Sequence, residues 1–204
     1  MNGKNRMAGE GEKEFLSHYH PEKYASISIT VDAIVVGVAK DMTDNYRKLD
    51  RQSLKILLVK RERYPYKGCY SLPGGFVGEK ETFEDTLKRV LLDKTGLADI
   101  YSEQLYTFGS VERDPRMRIV SCAYISLVDI GQTSITGAEW FAIEDIRKME
   151  LAFDHNQIID EALKRISGKI NYTDIVFHMM PPEFTISELQ EVYELILGKK
   201  LLTP

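Results

Sequence analysis

The stretch SLPGGFVGEKETFEDTLKRVLLDKTGL, residues 71–97, concentrates the side chains best placed to do chemistry. Pro73 and the paired glycines Gly74 and Gly75 supply a rigid turn and two residues without side chains, so a ligand could approach the backbone closely. Thr82 stands where it caps a helix, with Asp85 three residues on. Phe83, Leu87, Val90 and Leu91 then form an apolar stripe, and Gly96 ends the helix. This is the outline of a phosphate-handling loop and helix. A hydrolytic site of that kind wants carboxylates on the helix, and here the positions hold Val90, Asp93 and Lys94. An apolar residue, one carboxylate and one ammonium sum to no net charge, and an ammonium repels a divalent cation beside it.

Two further clusters bear on the same chemistry. Glu79, Glu81, Glu84 and Asp85 could replace missing metal ligands, or simply oppose the dipole at the helix N-terminus. Arg113, Asp114, Arg116 and Arg118 flank Pro115 between two strands. Their guanidinium forks could clamp phosphate; the alternative is a solvated charged hairpin.

The elements that must position these residues follow from patterning. Residues 26–40, SISITVDAIVVGVAK, are rich in β-branched side chains with a continuous apolar run, which suits a strand covered on both faces. Residues 53–61 form the next strand, and the polar segment 42–53 between them is expected to be a surface connection. Strands follow over 105–111 and 118–128, with a short one around Trp140 and Phe141. This order gives an α/β/α layering around a mixed sheet. Beyond Leu151 the pattern turns helical. Asp154 with Gln157, and Thr185 with Glu188, read as capping boxes, with Phe153 stapled to Ile158 and Phe184 to Leu189. Gly168 and Gly198 are expected stops. The expected organisation is an N-terminal arm (1–20), one α/β domain (21–151) and a helical module (152–204).

Composition narrows the function classes. A chain of 204 residues with a net charge of -4 exerts no global pull on nucleic acid or anionic membrane. No apolar run approaches the roughly 18 residues of a bilayer span. Residues 1–15 lack the apolar core of a signal peptide, and Cys69 and Cys122 lack metal-ligand spacing, so reduced thiols and a cytoplasmic location are expected. His18, His20, His155 and His178 have no evident ligand partner, His155 reads as a local part of its capping turn, and Trp140 reads as core.

The 75–97 stretch resembles the Nudix box: Gly75, Glu81, Arg89, Leu91, Gly96 and Leu97 match in register. In that family three carboxylates at i, i+3 and i+4 of the helix bind divalent cations and activate water against a pyrophosphate; Val90, Asp93 and Lys94 stand there instead. Together with YTFGSVERDPR, AEWFAIEDI, LAFDHNQIIDEALKRI and FTISELQEVYELILG, the chain resembles the Nudix-related transcription regulators of NAD metabolism and arabinose use. The resemblance implies a Nudix-type sandwich, then the start of a winged helix. It implies a homodimer sensing a nucleotide sugar or a sugar with little or no hydrolysis, and needing no cofactor. Arg61, Gly74, Gly75, Phe76, Arg113, Asp114 and Arg116 are the expected ligand-binding residues. DNA binding is expected only if a full winged helix follows in the parent protein, because the tail is acidic and no recognition helix follows the FTISELQ helix. The alternative is a Nudix hydrolase cleaving ADP-ribose or a related nucleoside diphosphate derivative with Mg²⁺ or Mn²⁺. Its catalytic residues would be Glu81, Arg89 and Asp93, with Glu81 and Asp93 as weak metal ligands.

Overall fold

In a computed structural model, residues 10–41 and 51–201 are described. The chain runs through α1 (Glu10–Ser17), a 3-10 turn (Pro21–Lys23), β1 (Ser28–Asp41), β2 (Arg51–Lys60), β3 (Tyr70–Ser71), β4 (Gly74–Phe76) and α2 (Phe83–Thr95). It continues through β5 (Tyr101–Phe108), β6 (Ile119–Asp129), a second 3-10 turn (Ile130–Gln132), β7 (Glu139–Ala142), α3 (Ile143–Ile146), α4 (His155–Lys169), a third 3-10 turn (Ile175–Met179) and α5 (Ile186–Leu197). The expected connection over 42–53 lies mostly outside the described residues. Part of the expected loose arm is helix α1, where Phe15 meets Tyr19 one turn on, their rings 5.7 Å apart.

β1 organises the sheet. Along one edge it pairs in parallel with β6, from Ser28↔Ile119 to Val38↔Asp129. Its N-terminal half takes β4 antiparallel, its C-terminal half takes β2, and β5 extends the sheet beyond β6. β3 and β7 both pair with β2. The turn expected at Pro73–Gly75 is thus in part a short strand, with Gly74 opposite Asp32.

The alternation of side chains along β1 divides the core. Val31, Ala33 and Val35 point toward Leu87 and Leu91 of α2, with Phe83 and Trp140 packed against that layer. Ile34 and Val36 point the other way, toward Ile158, Ile159, Ala162 and Ile166 of α4. Each isoleucine fully buried there contributes about 1.5–3 kcal/mol of transfer free energy. Helices flank both faces of a mixed sheet, as the sequence implies. The core on the α4 side is continuous with Ile175, Val176 and Met179 of the third 3-10 turn and Val192 of α5. The helices after Leu151 therefore share the sheet's core.

Two expected capping boxes form. Thr82 accepts from Asp85 N and Thr185 from Glu188 N, each partner carboxylate reaching back to the cap backbone. Gly96 (φ 74°) and Gly198 (φ 64°) close α2 and α5 in the left-handed conformation that favours glycine. The box expected at Asp154 is absent: its side chain makes no capping bond to α4. Gly168 does not stop α4, which runs on to Lys169 and delivers Ile170, 2% exposed, into the core. Burying that isoleucine outweighs the cost of about 1 kcal/mol for a helical glycine.

Candidate functional site

A cavity of about 690 Å³ opens where β1, the end of β2, β4, α2, the 109–118 turn and the start of α4 converge. Arg61, Gly74, Gly75, Phe76, Arg113, Asp114 and Arg116 all line it, together with Arg89, Val90, Asp93 and Lys94. Glu81 is held behind Arg89: Arg89 donates from Nε and Nη2 to the two Glu81 oxygens at 2.6 and 2.7 Å. Hydrogen bonds from Arg89, Gly78 N and Thr86 hold the Glu81 pKa down at about 2. Glu81 and Arg89 thus brace the loop before α2.

Beneath the cavity lies a buried charged network. The single acid in the apolar run of β1, Asp32, is 6% exposed. It accepts from Ser121 Oγ at 2.6 Å and from Arg113 Nη2 at 3.3 Å. Arg113 also grips Asp154 through Nε and Nη2, at 2.9 and 2.7 Å, which is why that carboxylate is not available to cap α4. His155 is not local either: its Nδ1 accepts from Leu72 N at 2.9 Å, leaving Nε2 to carry the proton, 3.8 Å from Asp32. Burial drives the His155 pKa below the usual histidine value despite the nearby acids, so the ring is neutral. Asp32 also dictates Gly74, since a Cβ there would lie 2.0 Å from Asp32 Oδ1. A lone acid inside a β-branched run is the one sequence signal that marks this network, because a buried charge must find partners.

The cations on the wall are not equivalent. Arg113 is committed to Asp154 and Asp32, Arg116 forks onto Asp114 at 2.9 and 2.7 Å, and Arg89 belongs to Glu81. Arg118 donates to the carbonyls of Ser110 and Gly109 and closes the turn. Three arginines of the RDPRMR segment are therefore occupied within the protein. Arg61 and Lys94 differ: among the described residues their hydrogen bonds go to backbone carbonyls, Pro65 O at 2.9 Å and Gly74 O respectively. Both line the cavity, and burial lowers the pKa of each below its ordinary value. Aromatic rings frame the space: the Arg61 guanidinium lies 4.7 Å from the Phe153 ring centre, and Arg116 lies 5.7 Å from that of Phe76. Phe153 has φ 59°, a left-handed conformation that costs a non-glycine residue about 1–3 kcal/mol. Its ring faces Tyr66 rather than stapling to Ile158.

The residues on α2 do not fit a divalent cation. Val90 is 1% exposed and lies against Gly75, Lys94 brings a positive charge, and only Asp93 offers a carboxylate. Glu84 accepts from Tyr124 and Asp85 serves the Thr82 cap, so each already has a structural role. Among the described residues no group of three or more His, Cys, Asp or Glu side chains is arranged to hold a metal.

Comparison with known proteins follows the same lines. The family model of the NUDIX domain matches residues 46–162, more than half of the chain. The chain belongs to the Nudix family. Within it, the NrtR DNA-binding winged helix domain matches residues 176–203, which places the chain with the Nudix-related transcription regulators. An "ADPR responsive transcriptional repressor NtrR" of Acinetobacter baylyi is 36% identical over 96% of this chain and 77% of its own length. The Shewanella oneidensis NrtR structure in complex with a 27mer DNA is 35% identical, covering 85% of this chain and 77% of that one, with a TM-score of 0.70. The NUDIX domain of that protein with ADP ribose is 34% identical, covering 76% of this chain and 98% of that one, with a TM-score of 0.61. Hydrolytic members of the family typically use divalent metals, the group that α2 of this chain does not fit. Among the described residues no helix is long and apolar enough to cross a membrane.

Proposed function

We propose that this chain is a cytoplasmic, homodimeric transcription regulator whose Nudix-type cavity binds ADP-ribose or a close nucleoside diphosphate sugar without cleaving it, and whose affinity for DNA responds to that binding. The observation that carries the reading is the α2 face. Val90, Asp93 and Lys94 cannot assemble a hydrolytic metal centre, while the adjoining wall keeps uncommitted positive charge at Arg61 and Lys94. The relatives described as ADPR-responsive, as bound to ADP ribose and as bound to DNA support it at 34–36% identity.

In this reading Arg61 faces the diphosphate, where its fork matches phosphate oxygens, and Phe76 and Phe153 offer ring faces to the base or sugar. Arg113 ties Asp32 on the cavity floor to Asp154 at the start of α4, a physical connection toward the C-terminal helices. A ligand that displaces this network shifts those helices only to the extent that it binds the two arrangements differently.

The test is a thermal-shift panel of ADP-ribose, NAD, ribose 5-phosphate and L-arabinose, with Mg²⁺ present. ADP-ribose at about 100 times its Kd should stabilise the fold by about 2.7 kcal/mol. A shift with arabinose and none with ADP-ribose would overturn the proposal.

A further inference from the structure

Lys94 occupies the last acid position of the box helix, and its Nζ donates across the cavity to the carbonyl oxygen of Gly74. Gly74 is fixed in place by its ladder with Asp32 on β1 and by the contact that forbids it a side chain. A backbone carbonyl on the wall of this cavity is the kind of hard oxygen that Mg²⁺ or Ca²⁺ would take. An ammonium holds it here. Beside it, Val90 Cγ2 closes to within 2.9 Å of where a Gly75 Cβ would stand, so the adjoining wall is apolar where a dication would need another oxygen. Among the described residues no carboxylate lies within ion-pair distance of Lys94. The side chain is open to the cavity, yet dense protein around the ammonium pushes its pKa below the usual lysine value, with Asp32 opposing. Among the described residues this ammonium on the cavity wall has no anion paired to it.

We propose that the Lys94 ammonium takes the place of the divalent cation: it is the resident point charge that holds the diphosphate of a nucleoside diphosphate sugar against β4, so effector binding requires no metal. The inference rests on the function proposed above and names the subsite within it. Lysine suits the part, being a compact, strongly hydrated cation on a flexible stem with three donors. After one is given to Gly74 O, two remain for phosphate oxygens.

The experiment is calorimetric titration of ADP-ribose into the full chain, in EDTA and in Mg²⁺, for the wild type, Lys94→Arg, Lys94→Met and Lys94→Glu. Circular dichroism checks the fold of each variant. The wild-type Kd should be the same in EDTA and Mg²⁺ to within about twofold, and Lys94→Met should weaken it in EDTA by about tenfold or more, as expected for a lost charged hydrogen bond. Lys94→Arg should retain most of the affinity, and Lys94→Glu should lose binding in EDTA and recover part of it with Mg²⁺. Wild-type binding that appears only with Mg²⁺, or a folded Lys94→Met that binds like the wild type in EDTA, overturns the lysine's role while leaving the effector reading intact. No ADP-ribose binding by the wild type under either condition overturns both.

Discussion

Asp154 immediately precedes α4, yet its carboxylate turns from the helix and closes both oxygens on Arg113, at 2.7 and 2.9 Å. With Asp32 beside them, one guanidinium serves two buried or nearly buried acids. Removing one partner of such a pair leaves a buried charge uncompensated. We expect Arg113→Met to destabilise the protein by about 3–5 kcal/mol, and Arg113→Met with Asp154→Leu to recover part of that loss. Urea unfolding of the single and double variants measures it; strictly additive losses would contradict the coupling.

His155 gives the fold a defined response to acid. Its pKa lies below the ordinary value in the folded protein, chiefly through burial, so the unfolded chain takes up the proton first. The stability held by the neutral ring is complete above about pH 6.5 and is lost as the pH falls below it. His155→Leu should flatten this part of the pH dependence. At pH 7.5 it should also cost about 1–3 kcal/mol, because Leu72 N loses its acceptor. Unfolding curves at pH 5.5 and 7.5 decide it: a variant with the wild-type pH dependence would show that His155 is not the titrating group.

Arg61, like Arg63 on the same wall, has no carboxylate within ion-pair distance among the described residues, and its Nε bonds Pro65 O. Arg61→Met should weaken ADP-ribose binding by about tenfold to a hundredfold, the range for a charged hydrogen bond, while Arg116→Met, already neutralised by Asp114, should weaken it far less. Calorimetric titration compares the two. Equal losses would mean that the Asp114 pair opens for the ligand.

What was legible in the sequence was what short-range chemistry decides. The caps at Thr82 and Thr185 have their partners three residues away, and the glycine ends of α2 and α5 are set by backbone freedom. The alternation in β1 and the stripe of α2 give the layering. The same capping rule fails at Asp154, because the competitor for its carboxylate, Arg113, lies 41 residues earlier. His155 looks local for the same reason, its partner Leu72 standing 83 residues away. The loss of acids at Val90 and Lys94 was readable from the box register. That Lys94 reaches Gly74 O, and that Arg113 is internally neutralised while Arg61 is not, depends on tertiary placement and leaves no mark in spacing.

The central claim, an effector held without turnover, is tested most directly by incubating the chain with saturating ADP-ribose and Mg²⁺ or Mn²⁺ and following AMP and ribose 5-phosphate by chromatography. The account predicts full recovery of ADP-ribose, bound and intact, with no AMP above the protein-free blank. Steady release of AMP in proportion to protein, abolished by Asp93→Asn, would contradict it and make the molecule a hydrolase.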